Sequence, residues 1–179
     1  MSQAKVGEKI TKKSFNFELL RLFAALDEDI PYSGIVTGKK LKGGSYIVMS
    51  RYEDIVWHLN AEWFPKSEPA SSRKIDFGSV PNCFLEAAKR TVASGIRKRK
   101  KGTTIVRYFR NLLPFFSYLQ LRNIMQPSDI TPIIAMQYVE YRKSTIASRT
   151  GKPLAPRSLR LDFLAVENLQ KVLAGTSQA

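Results

Sequence analysis

A single cysteine, a single histidine and the absence of any long apolar run bound this chain of 179 residues before anything present is considered. With Cys83 alone, no intramolecular disulfide can form, nothing points to an oxidising compartment, and the thiol reads as a small apolar side chain. No stretch approaches the roughly 18 apolar residues of a membrane-spanning helix, and the N-terminal MSQAKVGEKITKK lacks the apolar core and small-residue cleavage site of an export signal. A soluble, cytoplasmic protein is therefore expected. None of GxxxxGK[ST], GxSxG, HExxH or CxxC occurs, which removes the minimum parts of P-loop, hydrolase and zinc sites, so no cofactor or metal is expected. His58, flanked by Trp57 and Trp63, reads as a packing residue, and Gly43-Gly44 as a turn. No self-similarity appears at periods of 20 to 50 residues.

Acid is missing locally as well. Twenty-nine Lys and Arg stand against fifteen Asp and Glu, a net charge of +14 that repels itself unless a polyanion is near. From Ala87 to Ser128 there is no Asp or Glu, whereas Arg97, Lys98, Arg99, Lys100, Lys101, Arg107 and Arg110 all fall inside. A second acid-free stretch, Tyr141 to Leu161, carries Arg142, Lys143, Arg149, Lys152, Arg157 and Arg160. Solvated faces mix both signs, so two basic blocks point to a surface that grips nucleic acid.

With 44% apolar residues the chain can bury one moderate core or two small ones. The spacing predicts a helix from about Phe15 to Asp29, capped by Ser14 or Asn16 and stopped by Pro31. Two short strands follow, Gly34 to Gly38 and Ser45 to Ser50, around a hairpin loop, and Arg51 to Asn60 continues as a short helix or strand. Residues 65–81, rich in Pro, Ser and Gly, read as a linker between a small α+β domain (1–64) and a helical domain (82–174), with 175–179 a fraying tail. In the helical part Phe84, Ala87, Ala88, Val92 and Ile96 share the face of a helix over Asn82–Arg97, broken by Gly102. Thr103 or Thr104 caps a second helix with Ile105, Phe109, Leu112, Phe116 and Leu119 inward and a kink or break at Pro114. Thr131 and Pro132 open a third helix to about Ser144, with Ile133, Met136 and Tyr138 to Tyr141 facing the core. Pro156 opens a fourth, ended by Gly175, with Leu159, Phe163, Val166, Leu169 and Leu173 on one side. The fold class is mainly α.

The order Lys98-Arg-Lys-Lys-Gly, Thr104 with Tyr108, Asp129-Ile-Thr, then Ser158-Leu-Arg resembles the core-binding domain of tyrosine recombinases, the phage-integrase family, over about Asn82 to Leu173. What the resemblance implies is a SAM-like four-helix bundle that forms one jaw of a clamp on double-stranded DNA, in a protein that serves DNA integration or recombination. Helix starts offer free N–H groups to phosphate, so Thr103, Thr104 and Ser158 are candidate phosphate ligands, with simple helix capping the alternative. Lys98 to Lys101 read as phosphate contacts. Arg107 and Arg110, one helical step apart, read either as base-edge readers or as plain exposed charge. The family's chemistry needs a tyrosine nucleophile among arginines, a lysine and histidines, including a His-x-x-Arg element. Here His58 precedes the helical part and Ala61 stands where that arginine would be, while Tyr138 and Tyr141 sit at core spacing. The expectation is a DNA-gripping piece without the catalytic domain, a monomer by itself, in a parent protein that self-associates on DNA. A stand-alone regulator or competitor of a recombinase, a basic RNA-binding protein and, last, a membrane-surface binder are the alternatives.

Overall fold

The computed structural model describes residues 7–24, 34–147 and 150–176. Thr11, not Ser14 or Asn16, caps the first helix: its Oγ1 accepts from the Ser14 N–H at 3.2 Å. The helix, α1, spans Lys12–Ala24, so it opens three residues before the expected start. Its expected end at Asp29 and the stop at Pro31 lie outside the described residues. Strand β1 (Lys9–Ile10) pairs antiparallel with β3 (Tyr46–Arg51), which pairs antiparallel with β2 (Ile35–Lys40), giving the order β1-β3-β2. The hairpin expected around the Lys-Gly-Gly loop is therefore present.

Residues 65–81 are not a free linker. Within them β5 (Lys74–Asp76) pairs with β4 (Val56–His58), Trp57 opposite Ile75, and Ile75 and Phe77 are buried. The Phe77 ring meets Trp57 edge-on at 4.8 Å on one side and Phe109 of the helical half at 5.2 Å on the other. The turn-forming composition was real, and the segment does turn repeatedly. What composition conceals is that two alternate apolar residues within it point into a core.

Four helices follow: α2 (Asn82–Arg97), α3 (Gly102–Leu121), α4 (Pro132–Lys143) and α5 (Pro156–Thr176), with a minimal hairpin, β6 (Ile146–Ala147) and β7 (Lys152–Pro153), between the last two. The described chain is thus mainly helical with small antiparallel sheets, three strands of them near its N-terminal end. Helix α5 lies against α2, α3 and α4. One continuous apolar cluster runs from Leu22, Val36 and Trp57 through Phe84, Phe109 and Phe116 to Tyr138 and Leu169, so the core passes without interruption across residue 80.

The α2 and α3 faces are those the apolar spacing gives; Phe84, Ala87, Ala88, Val92, Ile96, Ile105, Phe109, Leu112, Phe116 and Leu119 are all buried. Helix α3 runs through Pro114 unbroken, because the buried side chains on both sides of it hold the helix to its neighbours despite one missing donor. Helix α4 begins as expected, Thr131 Oγ1 accepting from the Ile134 N–H at 3.3 Å. Its orientation differs from expectation: Ala135 and Tyr138 face inward, while Ile133 and Met136 are about two-thirds exposed, at 66% and 68%. On α5 Phe163 is likewise exposed, and Asp162 is buried beside Ala165, Val166 and Leu169.

Two contacts lock the halves together. Lys89 of α2 is buried, its ammonium donating to the Tyr52 carbonyl at 2.6 Å and the Glu53 carbonyl at 3.3 Å and lying over the rings of Tyr52, Trp57 and Phe77 at 5.4–6.0 Å. Gly102, the first residue of α3, lies under the Phe64 ring, in space that a Cβ would need. Gly102→Ala is accordingly expected to lower stability by about 1–3 kcal/mol in urea unfolding, and Phe64→Leu in the same chain should recover part of that loss. Burial pushes the Lys89 pKa down, partly countered by Glu86, Asp54 and Glu53. Between that lowered value and 10.5 the unfolded chain holds a proton that the folded chain has released, so stability rises with pH there. Lys89→Met should flatten this part of the stability profile relative to the parent, measured by urea midpoints across the alkaline range.

Candidate nucleic-acid interface

Helix α2 ends in a left-handed cap. Arg99 has φ 50°, its N–H donating to the Ile96 carbonyl at 2.9 Å, and the Lys100 N–H donates to the Gly95 carbonyl at 3.1 Å. The end of α3 repeats the arrangement: Asn123 has φ 56°, its N–H reaching the Gln120 carbonyl at 3.0 Å, and the Ile124 N–H reaches the Leu119 carbonyl at 2.9 Å. Asparagine adopts this conformation readily, and glycine more so. An arginine there costs roughly 1–2 kcal/mol. The expected breaker, Gly102, is helical, since the close approach of Phe64 claims it.

The turn so formed displays Arg97, Lys98, Arg99 and Lys101 to solvent, and among the described residues none of the four is in an ion pair. Lys100 behaves differently from its neighbours in the run. It turns inward, donating to Asn168 Oδ1 of α5 at 3.3 Å with its ammonium 4.7 Å from the Tyr108 ring centre. Burial, then the charges of Lys98 and Lys171, depress its pKa. It is a tie between the turn and α5, and its predicted phosphate contact is replaced by these partners.

Helix α3 starts next to this turn without a side-chain cap, Lys101 holding the cap position. The capping alternative for Thr103 and Thr104 is thereby removed, and neither hydroxyl has a hydrogen-bond partner among the described residues. Both residues are half-buried, whereas Arg107 and Arg110 are exposed one helical step apart along the outer face that Thr103 begins. Among the described residues no acid of the first eighty forms an ion pair with these cations: Glu8 and Glu18 hold Arg51 at 3.1 and 3.4 Å, and Glu86, just beyond them, holds Arg90 at 2.9 Å.

The second basic block is partly spent. Arg142 donates to the buried Asp162 at 2.9 Å and Lys143 pairs with Glu140 at 2.6 Å, both acids standing just outside the acid-free window. Burial raises the Asp162 pKa, an effect that its hydrogen bond from Arg142 opposes. Lys152 on β7 and Arg157, Ser158 and Arg160 at the start of α5 remain exposed, and Arg149 lies outside the described residues. Arg157 stands eleven residues before Asn168, which places the two on one side of α5 and about 16 Å apart. The second block therefore sits further along the helix to which Lys100 is tied.

A half-open cleft of about 1080 Å³ lies between α1, the three-stranded sheet, the turn around Trp63 and the basic turn, with Arg97, Arg99 and Lys101 on its cationic side and Thr103 at its edge. No sequence signal gathers these residues, which come from segments nearly ninety positions apart, from Phe15 to Thr103. Elsewhere, Tyr138 is wholly buried between Phe115 and Tyr118, with its hydroxyl unpartnered among the described residues and its pKa raised by burial, whereas Tyr141 is nearly half exposed at the edge of the same cluster. His58 is exposed on β4 and not packed between tryptophans. Among the described residues no three His, Cys, Asp or Glu side chains come together in a group suited to a metal, and no helix is long and apolar enough to cross a membrane.

Comparison of the chain with family models, with curated proteins and with solved structures returns no match. The strained cap gives a direct test of whether the turn is kept for function. Arg99→Gly is expected to raise stability by roughly 1 kcal/mol in urea unfolding while weakening duplex DNA binding in an anisotropy titration; a variant less stable than the parent would contradict the strain.

Proposed function

We propose that this protein grips double-stranded DNA through its phosphate backbone, with the α2–α3 turn and the start of α3 as the principal contact. The single observation that carries this reading is the set of exposed cations, Arg97, Lys98, Arg99 and Lys101, none in an ion pair among the described residues, at the uncapped start of a 20-residue helix. Free N–H groups and the positive end of that helix dipole add to the same attraction for phosphate. Arg107 and Arg110 extend the positive stripe along α3, and Arg157 and Arg160 supply a second footing at the exposed start of α5, about 12–16 Å along that helix from Asn168, to which Lys100 is tied.

The finer reading is that α2 to α5 form a SAM-like core-binding bundle, the non-catalytic portion of a site-specific tyrosine recombinase acting in DNA integration or recombination. What supports it is the order of the four helices together with the Asp129-Ile130-Thr131 opening of α4, where Thr131 caps the helix. In that setting Thr103, Thr104 and Ser158 hydroxyls bind phosphate, and Arg107 and Arg110 reach base edges, guanine being their natural partner. Such a protein would meet partner protomers on DNA, each holding one half-site.

Six cations on the turn and α3, if each neutralises a phosphate, give a plot of log affinity against log salt with a slope of about −5. Lys98→Ala with Lys101→Ala should make that slope about 2 units shallower, measured by anisotropy on duplex DNA from low to moderate salt. An affinity indifferent to salt, or structured RNA displacing the duplex at equal concentration, would remove the reading.

A further inference from the structure

The cleft beside the basic turn is chemically two-sided. Leu20, Phe23 and Trp63 give it an apolar side, and Arg97, Arg99 and Lys101 a cationic one. Leu20 is 69% exposed and Trp63 only half-buried, so apolar surface in the lining is left facing water beside the charge. Among the described residues Glu62 is the only carboxylate in the lining. Much of the remaining polarity is already engaged: Thr37 donates to the His58 carbonyl at 2.7 Å, and Asn60 accepts from the Glu62 N–H at 3.0 Å. An occupant must therefore offer flat apolar area and negative charge while asking for few directional hydrogen bonds.

We infer that the cleft receives unpaired nucleotides of a DNA strand, their bases against Trp63 and Phe23 and their phosphates on Arg97, Arg99 and Lys101. This rests on the duplex-binding reading and adds to it. Aromatic rings beside a positive groove form the platform on which single strands stack, and stacking tolerates any base because every base has a π-face. The volume, about 1080 Å³, lies at the upper end of small-molecule sites and suits more than one nucleotide. The positive stripe also continues out of the cleft: Thr103 lines it, Arg107 is one turn further along α3, and Arg110 lies beyond. A strand leaving a duplex on α3 would follow that stripe inward. An acidic amphipathic peptide seated in the cleft would use its rim and leave the continuation idle.

The test compares the full chain binding a blunt duplex and the same duplex with a short splayed end, at matched salt, by anisotropy and by tryptophan emission. Trp57 is fully buried, so quenching on binding reports Trp63. The splayed DNA is expected to bind about tenfold more tightly and to quench emission, and Trp63→Leu, which keeps apolar bulk, should abolish that preference while leaving blunt-duplex affinity unchanged. Phe23→Leu should reduce the preference too, which keeps the test alive if the Trp63 variant folds poorly. Equal affinities for the two DNAs, with steep salt dependence retained, overturn the cleft assignment alone; absence of salt-dependent duplex binding overturns the reading beneath it. Quenching by a synthetic Glu/Leu amphipathic helix that splayed DNA fails to displace would assign the cleft to a protein partner and likewise overturn the proposal.

Discussion

The packing between the two halves of this molecule is organised around one buried side chain, Lys89. Lys89 projects from α2, yet both the aromatic rings around its ammonium and the backbone carbonyls that accept its hydrogen bonds belong to the N-terminal half. A cation taken out of water needs partners, and here the only way to supply them is to bring residues 52 and 53 onto α2. Phe77, wedged between Trp57 and Phe109, then finds both of its neighbours already placed. The Phe64 ring settles over Gly102 on the same side of the molecule, which fixes where α3 begins and so where the basic turn projects. The basic turn is thus positioned from behind by the packing of the N-terminal half.

That arrangement separates two kinds of positive charge that look alike in sequence. Lys89 and Lys100 are structural, each with its ammonium near aromatic rings and a hydrogen-bond acceptor, and each with a lowered pKa caused first by burial. Arg142 belongs with them through Asp162. Arg97, Lys98, Arg99 and Lys101 have no such ties among the described residues. Repulsion among these four is left uncompensated within the described fold, and a polyanion relieves it.

Local signals in the chain were legible where the physics is local. The bounds of α2, the buried stripe of α3 and the Thr131 cap of α4 follow from 3.6-residue periodicity and from side-chain oxygen chemistry at a helix start. The errors arise where a distant partner decides. Ile133 and Met136 look like core on α4 because they are apolar at helical spacing, but it is Ala135 and Tyr138 that bury against the neighbouring helices, with Ile134 partly covered beside them. Asp162 reads as surface until Arg142, twenty residues earlier, is placed beside it. Gly102 reads as a breaker until Phe64 is found above it. The same holds for the site: the density of cations on the α2–α3 turn was visible in one dimension, whereas the inward turn of Lys100 and the cleft beside Trp63 exist only in three.

The continuity of the apolar cluster across residue 80 also has a consequence for how the protein comes apart. Because Phe77, Trp57 and Phe109 interlock, opening the β4–β5 region exposes the inner faces of α2 and α3 at once, while α1 and the three-stranded sheet keep only a small cluster of their own around Phe15, Ile35 and Val48. Amides in β4 and β5 should therefore exchange with solvent through the same opening as those in the middle of α3, which ties the orientation of the cationic turn to the integrity of the seam behind it.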